Sequence, residues 1–364
     1  MKIGILTDPL YESSGGIARY TSNIIKNLEN DKENDYCFIN FRKVNFLNYG
    51  KEIIIPSFFN PERDIIRKTI LLPAILKKEK FDIFHSLSQF GLFWSKIGKK
   101  NILTIHDLIP IISPEIQSKF NYFSYKYILP KVLKNVDIII TISENSKRDI
   151  IKYLKIPEEK IEVVYHGVDK VFRPIKKAKR LIELKYGIES PFLFHVTVDE
   201  NRTNLKEVIK TLSIIKDNGF KHKLVVSGKL KNKNNILEII KNKNLMNDVI
   251  FTGFVPDYDL ALLFNSADMF VYPSNYEGFG LPVIEAMACG CPVITSSSGS
   301  LPEIVGNAGI VLSSKNDASI AKSITELMND NTRIKRLINR GFKTSKNFSW
   351  EKAVNEILKI YESI

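Results

Sequence analysis

Short runs of β-branched and aromatic residues alternate with amphipathic stretches along the whole chain. In the first half these runs are apolar at consecutive positions, which is typical of parallel strands buried on both faces. They read KIGILTD, YCFINF, EIIIP, FDIFHS, NILTIHD, DIIITIS and IEVVYHGV. Helical periodicity separates them, mainly at residues 16–29, 62–80, 115–134 and 144–154. The alternation predicts a doubly wound α/β sheet.

The same alternation starts again after a basic, proline-containing segment at residues 169–180. The later runs are PFLFHVTV, HKLVVSG, DVIFTGFV, DMFVYPS and CPVITSS, and three helical stretches close the chain. We expect a first Rossmann-like domain at residues 1–172 and a second at residues 173–347. Residues 348–364 are predicted to form a helix that packs back across the domain seam. Two such domains facing each other would bind a ligand between the carboxyl ends of their strands.

Composition narrows the choice of partners. The net charge of +13 suits an anionic membrane surface, nucleic acid or a phosphorylated substrate. The lysines are scattered and no RNA-binding or zinc-finger motif accompanies them, which disfavours nucleic acid. Cys37, Cys289 and Cys291 are too few for a disulfide scaffold. With no signal-peptide pattern and no apolar run of about 18 residues, we expect a cytoplasmic protein that does not cross a membrane.

The segment PSNYEGFGLPVIEAMACGCPV, residues 273–293, combines a strand end, a glycine loop and a helix start. The backbone N–H groups of residues 279–283 are predicted to face a phosphate. Glu277 and Glu285 would flank that anion and accept hydrogen bonds from vicinal hydroxyls. A nucleotide sugar has a diphosphate between two groups that carry vicinal hydroxyls. It would therefore match both the backbone N–H groups and the two glutamates. The alternative is that Glu277 caps a turn and Glu285 complements the helix dipole.

At these residues the chain resembles family 4 glycosyltransferases, which have the GT-B fold. EGFGLPVIE resembles the E-x7-E motif, and GGIARYTSNIIKNL, TIHDLIPIISPE and FTGFVPDYDLALLFNSADMFVYPS resemble other family segments in family order. The resemblance implies retaining transfer of a hexose-type sugar from a UDP- or GDP-linked donor. A glycan, a lipid-linked sugar or another small acceptor would receive it, in synthesis of cell-surface polysaccharide or glycoconjugate.

The resemblance also implies roles for individual residues. Glu285 would hold the ribose hydroxyls, while Glu277 would hold the transferred sugar as a catalytic residue. The loop residues expected against the sugar and diphosphate are Gly278, Phe279, Gly280 and Leu281. The backbone of Phe254 and Val255 would meet the base, and Gly15 and Gly16 would bring the first loop against the phosphates. For Gly15 and Gly16 the alternative is a flexible turn.

The segment HVTVDENRTNLKEV departs from the family pattern, which usually offers two cations to the diphosphate. If Asn204 opens the helix, Thr203 stands where the family has a lysine. We expect Arg202 to clamp the diphosphate as a catalytic residue, with Thr203 donating a hydrogen bond. Lys206 or Lys229 would assist. The alternative is that Arg202 and Lys206 are solvated residues of a weak or inactive transferase.

The chain contains five histidines, and one of them is a candidate for a catalytic role. His106 follows the strand NILTI, so it is predicted to contact the transferred sugar or to donate to developing phosphate charge. The alternative, a buried structural histidine, applies better to His195 and His222. His85 and His166 receive no role.

No metal and no other cofactor is expected. Asp257 and Asp259 have the D-x-D spacing of metal-dependent transferases, but they open a helix after Pro256 and are interpreted as residues that cap it. Other GT-B enzymes, such as a nucleotide-sugar epimerase or a phosphorylase, stay open as alternatives. A catalytically silent nucleotide-sugar-binding module is another alternative, and a nucleic-acid binder comes last.

The sequence features that could bind the acceptor are less specific than those for the donor. Arg63, Arg67, Lys68, Lys77 and Lys78 lie among isoleucines and leucines, a composition that suits peripheral contact with an anionic membrane at its inner face. A core or cleft helix with solvated lysines is an equal alternative. The aromatic residues of the following stretch are predicted to pack in a core helix, with sugar stacking or surface contact as alternatives. They are Phe120, Tyr122, Phe123, Tyr125 and Tyr127.

Overall fold

The structure is a computed structural model, and it describes residues 1–11, 15–43, 49–56, 67–89, 95–116 and 118–364. The chain divides into two compact units, each with its own sheet. The first unit contains Met1–Gly167 and Trp350–Ile364, and the second contains Val168–Ser349.

The first unit is built on a seven-stranded parallel sheet of order β3-β2-β1-β4-β5-β6-β7. Its strands are β1 (Lys2–Leu6), β2 (Asp35–Asn40), β3 (Lys51–Ile54), β4 (Ile83–Ser86), β5 (Lys100–Ile105), β6 (Ile138–Thr141) and β7 (Ile161–Val163). The central strands are buried along most of their length, which explains their unbroken apolar sequence. All seven coincide with predicted runs.

The α-helices of this part of the chain are α1 (Gly16–Leu28), α2 (Leu72–Leu76), α3 (Ile109–Ile112), α4 (Lys119–Phe123), α5 (Leu129–Val132) and α6 (Glu144–Asp149). Short 3-10 helices lie at Asp8–Tyr11, Lys77–Glu79, Pro114–Ile116, Leu133–Asn135 and Glu158–Lys160, and π-helical turns at Arg67–Leu71, Ser124–Ile128 and Ile150–Leu154. The stretch predicted as helical at residues 115–134 is continuously helical from Lys119 to Asn135, with changes between α, π and 3-10 hydrogen bonding. Pro130 near the start of α5 removes a backbone donor there, which is one reason for the change of helix type.

The second unit has a six-stranded parallel sheet of order β10-β9-β8-β11-β12-β13. Its strands are β8 (Phe192–Thr197), β9 (Lys223–Gly228), β10 (Val249–Gly253), β11 (Met269–Tyr272), β12 (Val293–Ser296) and β13 (Ile310–Leu312). The chain builds outward from β8 in one direction and then returns to build outward from β11 in the other. The neighbouring strands β8 and β11 therefore mark the point where the strand order reverses.

The helices of the second unit cover both faces of this sheet. They are α7 (Ala178–Tyr186), α8 (Leu205–Asp217), α9 (Lys233–Asn242), α10 (Asp257–Ser266), α11 (Leu281–Ala288), α12 (Leu301–Val305), α13 (Asp317–Met328) and α14 (Asn331–Ser345). One core packs Leu205, Val208, Leu212, Leu224 and Ile324 against the strands.

The last helix, α15 (Trp350–Glu362), belongs to the first unit. Its buried residues are Trp350, Ala353, Val354, Ile357 and Tyr361, which is the apolar stripe expected of an amphipathic helix. The Trp350 ring contacts Tyr20 of α1 at a centroid distance of 6.2 Å. Within the described ranges, no helix combines the length and apolar character that a membrane span requires.

Candidate functional site

In the second unit, two loops meet at the point where the strand order reverses. The loop after β8 presents the carbonyl of Arg202, which accepts hydrogen bonds from the backbone N–H of Asn275 at 2.7 Å and from Ser274 Oγ at 3.0 Å. The side-chain amide of Asn275 donates to the Asn201 carbonyl at 2.8 Å. The loop after β11 is therefore fastened to the loop after β8, at the edge where sheets of this kind bind ligands.

Glu277 is held at this junction by three side chains. Its carboxylate accepts hydrogen bonds from Arg202 Nη1 at 2.6 Å, Tyr272 OH at 2.8 Å and Ser274 Oγ at 2.8 Å. Burial, followed by the charge of Glu277, holds the pKa of Tyr272 well above its usual value, so the phenol keeps the proton that it donates. The structure thus brings together two predicted catalytic residues, Glu277 and Arg202, in a largely buried ion pair.

The glycines before α11 shape the helix start. Gly280 is the N-cap residue with φ of 97°, and a Cβ there would lie 2.7 Å from Leu301 Cδ2. Leu281 is the first residue of α11, where backbone N–H groups have no acceptor within the helix. The N–H of Val283, however, donates to the Gly280 carbonyl at 2.9 Å, so the prediction that all amides of residues 279–283 face a phosphate is wrong for Val283.

Glu285 lies on α11 close to the same loop in sequence. It is the fifth residue of the helix, directly after the first turn. Its exposed fraction is 2%. A carboxylate this deeply buried needs hydrogen-bond donors, which the hydroxyls of a ribose would add.

A third loop supports Glu277 from behind. Gly299, which follows β12, has φ of 60°, and a Cβ there would lie 2.3 Å from the Glu277 carbonyl oxygen. Ser300 donates from its backbone N–H and from Oγ to that same carbonyl, each at 3.1 Å. Ser300 Oγ also donates to the Phe279 carbonyl at 2.8 Å. The backbone that carries Glu277 and Phe279 is therefore fixed before any ligand binds.

The other residues predicted to hold the diphosphate differ in placement. Thr203 is fully buried, and its hydroxyl donates to the Asp199 carbonyl at 3.0 Å and lies 2.9 Å from Thr197 Oγ1. Its donor is thus used within its own loop. Lys206 is half-buried in the first turn of α8, and Lys229 is exposed directly after β9. The structure brings only Arg202 of this group to Glu277, and the roles of the others stay predictions.

The residues predicted to meet the base follow β10, at one edge of the sheet. Phe254 is 62% exposed, whereas Val255 is buried. Both come directly after Gly253, the last residue of β10, so their backbone lies at the carboxyl end of the sheet. An exposed aromatic ring at that edge offers a flat apolar surface.

In the first unit, His106 follows β5 and is buried. Burial lowers its pKa to about 4, so at pH 7 the ring is neutral and carries one N–H. Nε2 lies 3.0 Å from the Leu87 carbonyl, which can only accept, so the proton lies on Nε2. Nδ1 is then an acceptor. The ring in this state suits a hydroxyl that donates to it better than a phosphate that needs a donor.

Gly15 and Gly16 lie at the start of α1 in the same unit. Gly15 is the N-cap residue and Gly16 the first residue of the helix. Among the described residues other than its neighbours in the chain, none has an atom within 4 Å of the position that a Cβ of Gly15 would take. The preceding residues 12–14 lie outside the described ranges.

The remaining four histidines lie against groups of the protein itself. His85 contacts Tyr361 OH at 2.6 Å and Thr104 Oγ1 at 2.8 Å, and burial lowers its pKa to about 3. His195 lies 2.8 Å from the Val271 carbonyl in the sheet core. His222 lies 3.4 Å from Asp268. His166 stacks on Tyr20.

Asp259, half of the D-x-D pair, is engaged elsewhere. Its carboxylate accepts hydrogen bonds from Lys185 Nζ at 2.6 and 2.8 Å and from Tyr186 OH at 2.7 Å. It therefore fastens α10 to α7 and does not cap α10, whose N-cap residue is Pro256. Among the described residues, no three His, Cys, Asp or Glu side chains are grouped as metal ligands would be.

Comparison with known proteins identifies the family. A model described as group 1 glycosyl transferases matches residues 177–344, and a model described as Glycosyltransferase Family 4 matches residues 14–171. The chain belongs to glycosyltransferase family 4. The family predicted from EGFGLPVIE and its companion segments is confirmed.

Relatives of this glycosyltransferase cover its whole length. O-antigen chain mannosyltransferase B of Escherichia coli is 26% identical over 385 residues, covering 100% of both chains. An uncharacterized glycosyltransferase of Methanocaldococcus jannaschii is 29% identical, covering 97% of this chain and 96% of its own. The crystal structure of HepE from Anabaena with UDP and glucose has a TM-score of 0.79 at 18% identity, covering 100% of both chains. The predicted two-domain GT-B fold is confirmed.

Several residues of the site were not singled out from the sequence. Tyr272 and Ser274 hold Glu277, and Lys231 pairs with Asp199 at 2.6 Å beside Arg202. Tyr272 and Ser274 lie in the quoted segment DMFVYPS, so their place after a strand and before the glycine loop was the available signal.

Proposed function

We propose that this glycosyltransferase moves a hexose-type sugar from a UDP- or GDP-linked donor to a glycan or lipid-linked acceptor, with retention of anomeric configuration. Membership of family 4 and the O-antigen mannosyltransferase relative support a role in cell-surface polysaccharide or glycoconjugate synthesis. The observation that carries the proposal is the Arg202–Glu277 pair beside the start of α11, at the point where the strand order reverses.

Each group of this site has a chemical task in the proposal. Arg202 and the backbone N–H groups of Gly280 and Leu281, at the start of α11, stabilise the charge that develops on the leaving diphosphate. Glu277 accepts hydrogen bonds from sugar hydroxyls, and Glu285 accepts them from the ribose. The bond between the anomeric carbon and the diphosphate oxygen breaks. The acceptor oxygen bonds to that carbon on the same face, and its proton passes to the leaving diphosphate.

His106 serves the transferred sugar in this proposal. Its neutral ring, with Nδ1 as acceptor, would receive a hydrogen bond from a sugar hydroxyl. Because the single N–H points to Leu87, a role as proton donor to the phosphate is the less favoured of the two predicted roles.

We also propose that transfer needs no metal ion. Arg202 and the backbone amides at the start of α11 supply positive charge at the diphosphate, and Asp259 is occupied by Lys185 and Tyr186. Turnover is expected to survive EDTA. Loss of turnover with EDTA, restored by manganese, would refute metal independence.

Contact with an anionic membrane, at its cytoplasmic face, completes the proposal. Phe120, Phe123 and Tyr127 are 41%, 54% and 49% exposed, so the predicted core helix is wrong for these three, whereas Tyr125 is buried. Lys126 stacks on Tyr127 at 5.6 Å and adds positive charge to the same surface. Arg67, in contrast, is fully buried, which removes it from any lipid contact. Arg63 lies outside the described ranges.

A two-step experiment tests the proposed activity. A thermal-shift screen of UDP, GDP and ADP sugars identifies the donor, because a ligand at 100 times its Kd adds about 2.7 kcal/mol to stability. NMR analysis of the product formed from that donor then gives the anomeric configuration. A transferred sugar with retained configuration is expected. An epimerised nucleotide sugar, phosphorolysis or the absence of any product would each contradict the proposal.

A further inference from the structure

Lys315 occupies an unusual position in the second unit. It lies in the loop between β13 and α13, where its carbonyl accepts a hydrogen bond from Asn204 Nδ2 at 2.9 Å. Its own Nζ donates to Ser298 Oγ at 3.2 Å. Asn204 directly follows Thr203 in the loop after β8, and Ser298 directly precedes Gly299 in the loop after β12.

These two contacts join Lys315 to the two loops that flank the loop of Glu277. The strand β11 lies between β8 and β12 in the sheet, and its loop carries Glu277 into α11. Gly299, next to Ser298, packs directly on the backbone of Glu277. Lys315 therefore contacts the loop after β8 through its carbonyl and the loop after β12 through its ammonium, and these two loops lie on either side of the loop that carries Glu277.

The charges around this site leave Lys315 without a counter-ion. Arg202 is paired with Glu277 at 2.6 Å, and Lys231 with Asp199 at 2.6 Å. Over the residues that the structure describes, Lys315 forms no ion pair, and its recorded partner is the neutral Ser298 hydroxyl. Lys315 is half-buried, and burial lowers the pKa of its ammonium. A partly desolvated cation that contacts only a neutral hydroxyl among the described side chains favours an anion as a further partner.

The neighbouring positions agree with this reading. Thr203, where the resemblance expects a lysine, has its hydroxyl donor engaged by Asp199. Lys229 is exposed after β9, and Lys206 is half-buried in the first turn of α8. Lys315 instead reaches the loop that braces Glu277 and Phe279.

We propose that Lys315 binds the diphosphate of the nucleotide donor and supplies the cation that Thr203 does not. The inference rests on the proposed function, because it takes the diphosphate to lie at the start of α11. On binding, Nζ exchanges the Ser298 hydroxyl for phosphate oxygens and forms charge-assisted hydrogen bonds. Arg202 and Lys315 then approach the diphosphate from two different loops.

Calorimetry on the full chain tests this with UDP and GDP, each compared with its monophosphate. Lys315→Gln is expected to weaken diphosphate binding about tenfold, the usual worth of one hydrogen bond to a charged group. Monophosphate binding should change much less, and Lys315→Arg should restore most of the affinity. Lys243→Gln is the matched control, because this exposed lysine follows α9 at the opposite edge of the sheet. The affinity of Lys243→Gln for each nucleoside diphosphate should equal that of the unmodified chain.

The outcomes separate the two proposals. Unchanged diphosphate affinity in Lys315→Gln overturns the role of Lys315 and leaves the proposed function intact. Equal loss for monophosphate and diphosphate assigns Lys315 to loop support and also overturns it. No binding of UDP or GDP by the unmodified chain overturns the proposed function together with the inference. Recovery of diphosphate affinity in the double variant Thr203→Lys, Lys315→Gln would support the exchange of one lysine for the other.

Discussion

The loops at the carboxyl ends of the two sheets contain polar groups of different kinds. In the first unit the buried groups near His106 are neutral: His85, Thr104, Tyr20 and Tyr361 form one hydrogen-bonded chain. In the second unit the corresponding loops carry the Arg202–Glu277 pair, the Lys231–Asp199 pair and Lys315, whose ammonium contacts the Ser298 hydroxyl. Neutral donors and acceptors suit hydroxyl groups, whereas fixed charges suit phosphate.

One ion pair in the first unit shows how the two differ. Arg67 is fully buried, and its Nη atoms lie 2.5 and 2.9 Å from the two oxygens of Asp8, which follows β1. Arg67 Nε also donates to the Ile55 carbonyl at 2.8 Å. The Arg67 side chain is fully enclosed in this bidentate pair, whereas the Arg202 side chain in its pair with Glu277 stays 18% exposed. Accessible charge is thus the property that separates the second site from the first.

The largest expected effect comes from removing the acid of the charged site. Glu277→Gln keeps the size of the side chain but loses its charge, so we expect turnover to fall about a hundredfold, or about 2.7 kcal/mol in barrier. Glu285→Gln should chiefly weaken nucleotide affinity, because it would contact the ribose only. Steady-state kinetics and nucleotide calorimetry on both variants check this. Equal loss of nucleotide affinity in both would contradict the division of roles.

Acid is expected to destabilise the first unit more than the second. Burial lowers the pKa of His85 to about 3 and that of His106 to about 4, and it lowers the pKa of His166 well below its usual value. Above pH 6.5 these rings are neutral in both folded and unfolded chains, so they add no pH dependence. As the pH falls below 6.5, only the unfolded chain takes up protons, and stability is lost until the folded pKa is reached.

For one such histidine the loss is about 2 kcal/mol between pH 6.5 and pH 5. The second unit has one buried histidine with a comparable shift, His195, whose pKa burial lowers to about 4. Hydrogen exchange resolved by segment, corrected for intrinsic rates, measures each unit separately. Equal acid sensitivity in the two units would contradict the contrast between them.

Arg202→Ala tests the accessible cation. The change removes positive charge from the leaving diphosphate, so turnover should fall at least tenfold, or about 1.4 kcal/mol. Arg202→Lys keeps a point charge and should recover part of the loss. Kinetics with the donor found in the screen measure both. If Arg202→Ala, Lys206→Ala and Lys229→Ala all left turnover unchanged, the clamp would be refuted. The charge on the diphosphate would then have to be stabilised by backbone amides.

Tyr361→Phe tests the neutral hydrogen-bonded chain of the first unit, and its expected effect on stability is the smallest of these predictions. The variant removes the hydroxyl that contacts His85 Nδ1 and leaves that nitrogen buried without this partner, which costs about 1 kcal/mol of stability. Tyr153→Phe, at an exposed tyrosine, is the matched control. Urea unfolding followed by tryptophan fluorescence reports on the first unit through Trp350. A variant as stable as the control would show that the network contributes nothing measurable.

Much of the fold was predictable because parallel strands buried on both faces leave continuous apolar runs. Every strand except β13 falls on a predicted run. β13 is only three residues long at the sheet edge, and its middle residue Val311 is exposed, so it leaves no such signature. The helical predictions at residues 62–80 and 115–134 agree with helical segments at residues 67–79 and 119–135, while residues 62–66 lie outside the described ranges. The changes of helix type within these segments depend on local backbone conformation that periodicity does not report.

The candidate site was predictable in its residue types and not in its pairings. Glu277, Gly280 and Arg202 were identified, because glycines and acids between a strand and a helix have a restricted set of uses. The contact between Arg202 and Glu277 joins residues 75 positions apart, which only the strand order brings together. Thr203 was predicted to donate a hydrogen bond to the diphosphate, whereas its hydroxyl donates to the Asp199 carbonyl within its own loop. Lys315 depends on two further loops and could not be found without the fold.

The most direct test of the account is a crystal structure of the chain with the nucleoside diphosphate that stabilises it most. The account predicts the diphosphate at the start of α11, with Arg202 Nη and Lys315 Nζ within hydrogen-bond distance of its oxygens. Glu285 should accept hydrogen bonds from the ribose hydroxyls. A nucleotide bound with its diphosphate distant from both cations, and with the Arg202–Glu277 and Lys315–Ser298 contacts unchanged, would contradict the central claim that accessible charge in the second unit binds the donor.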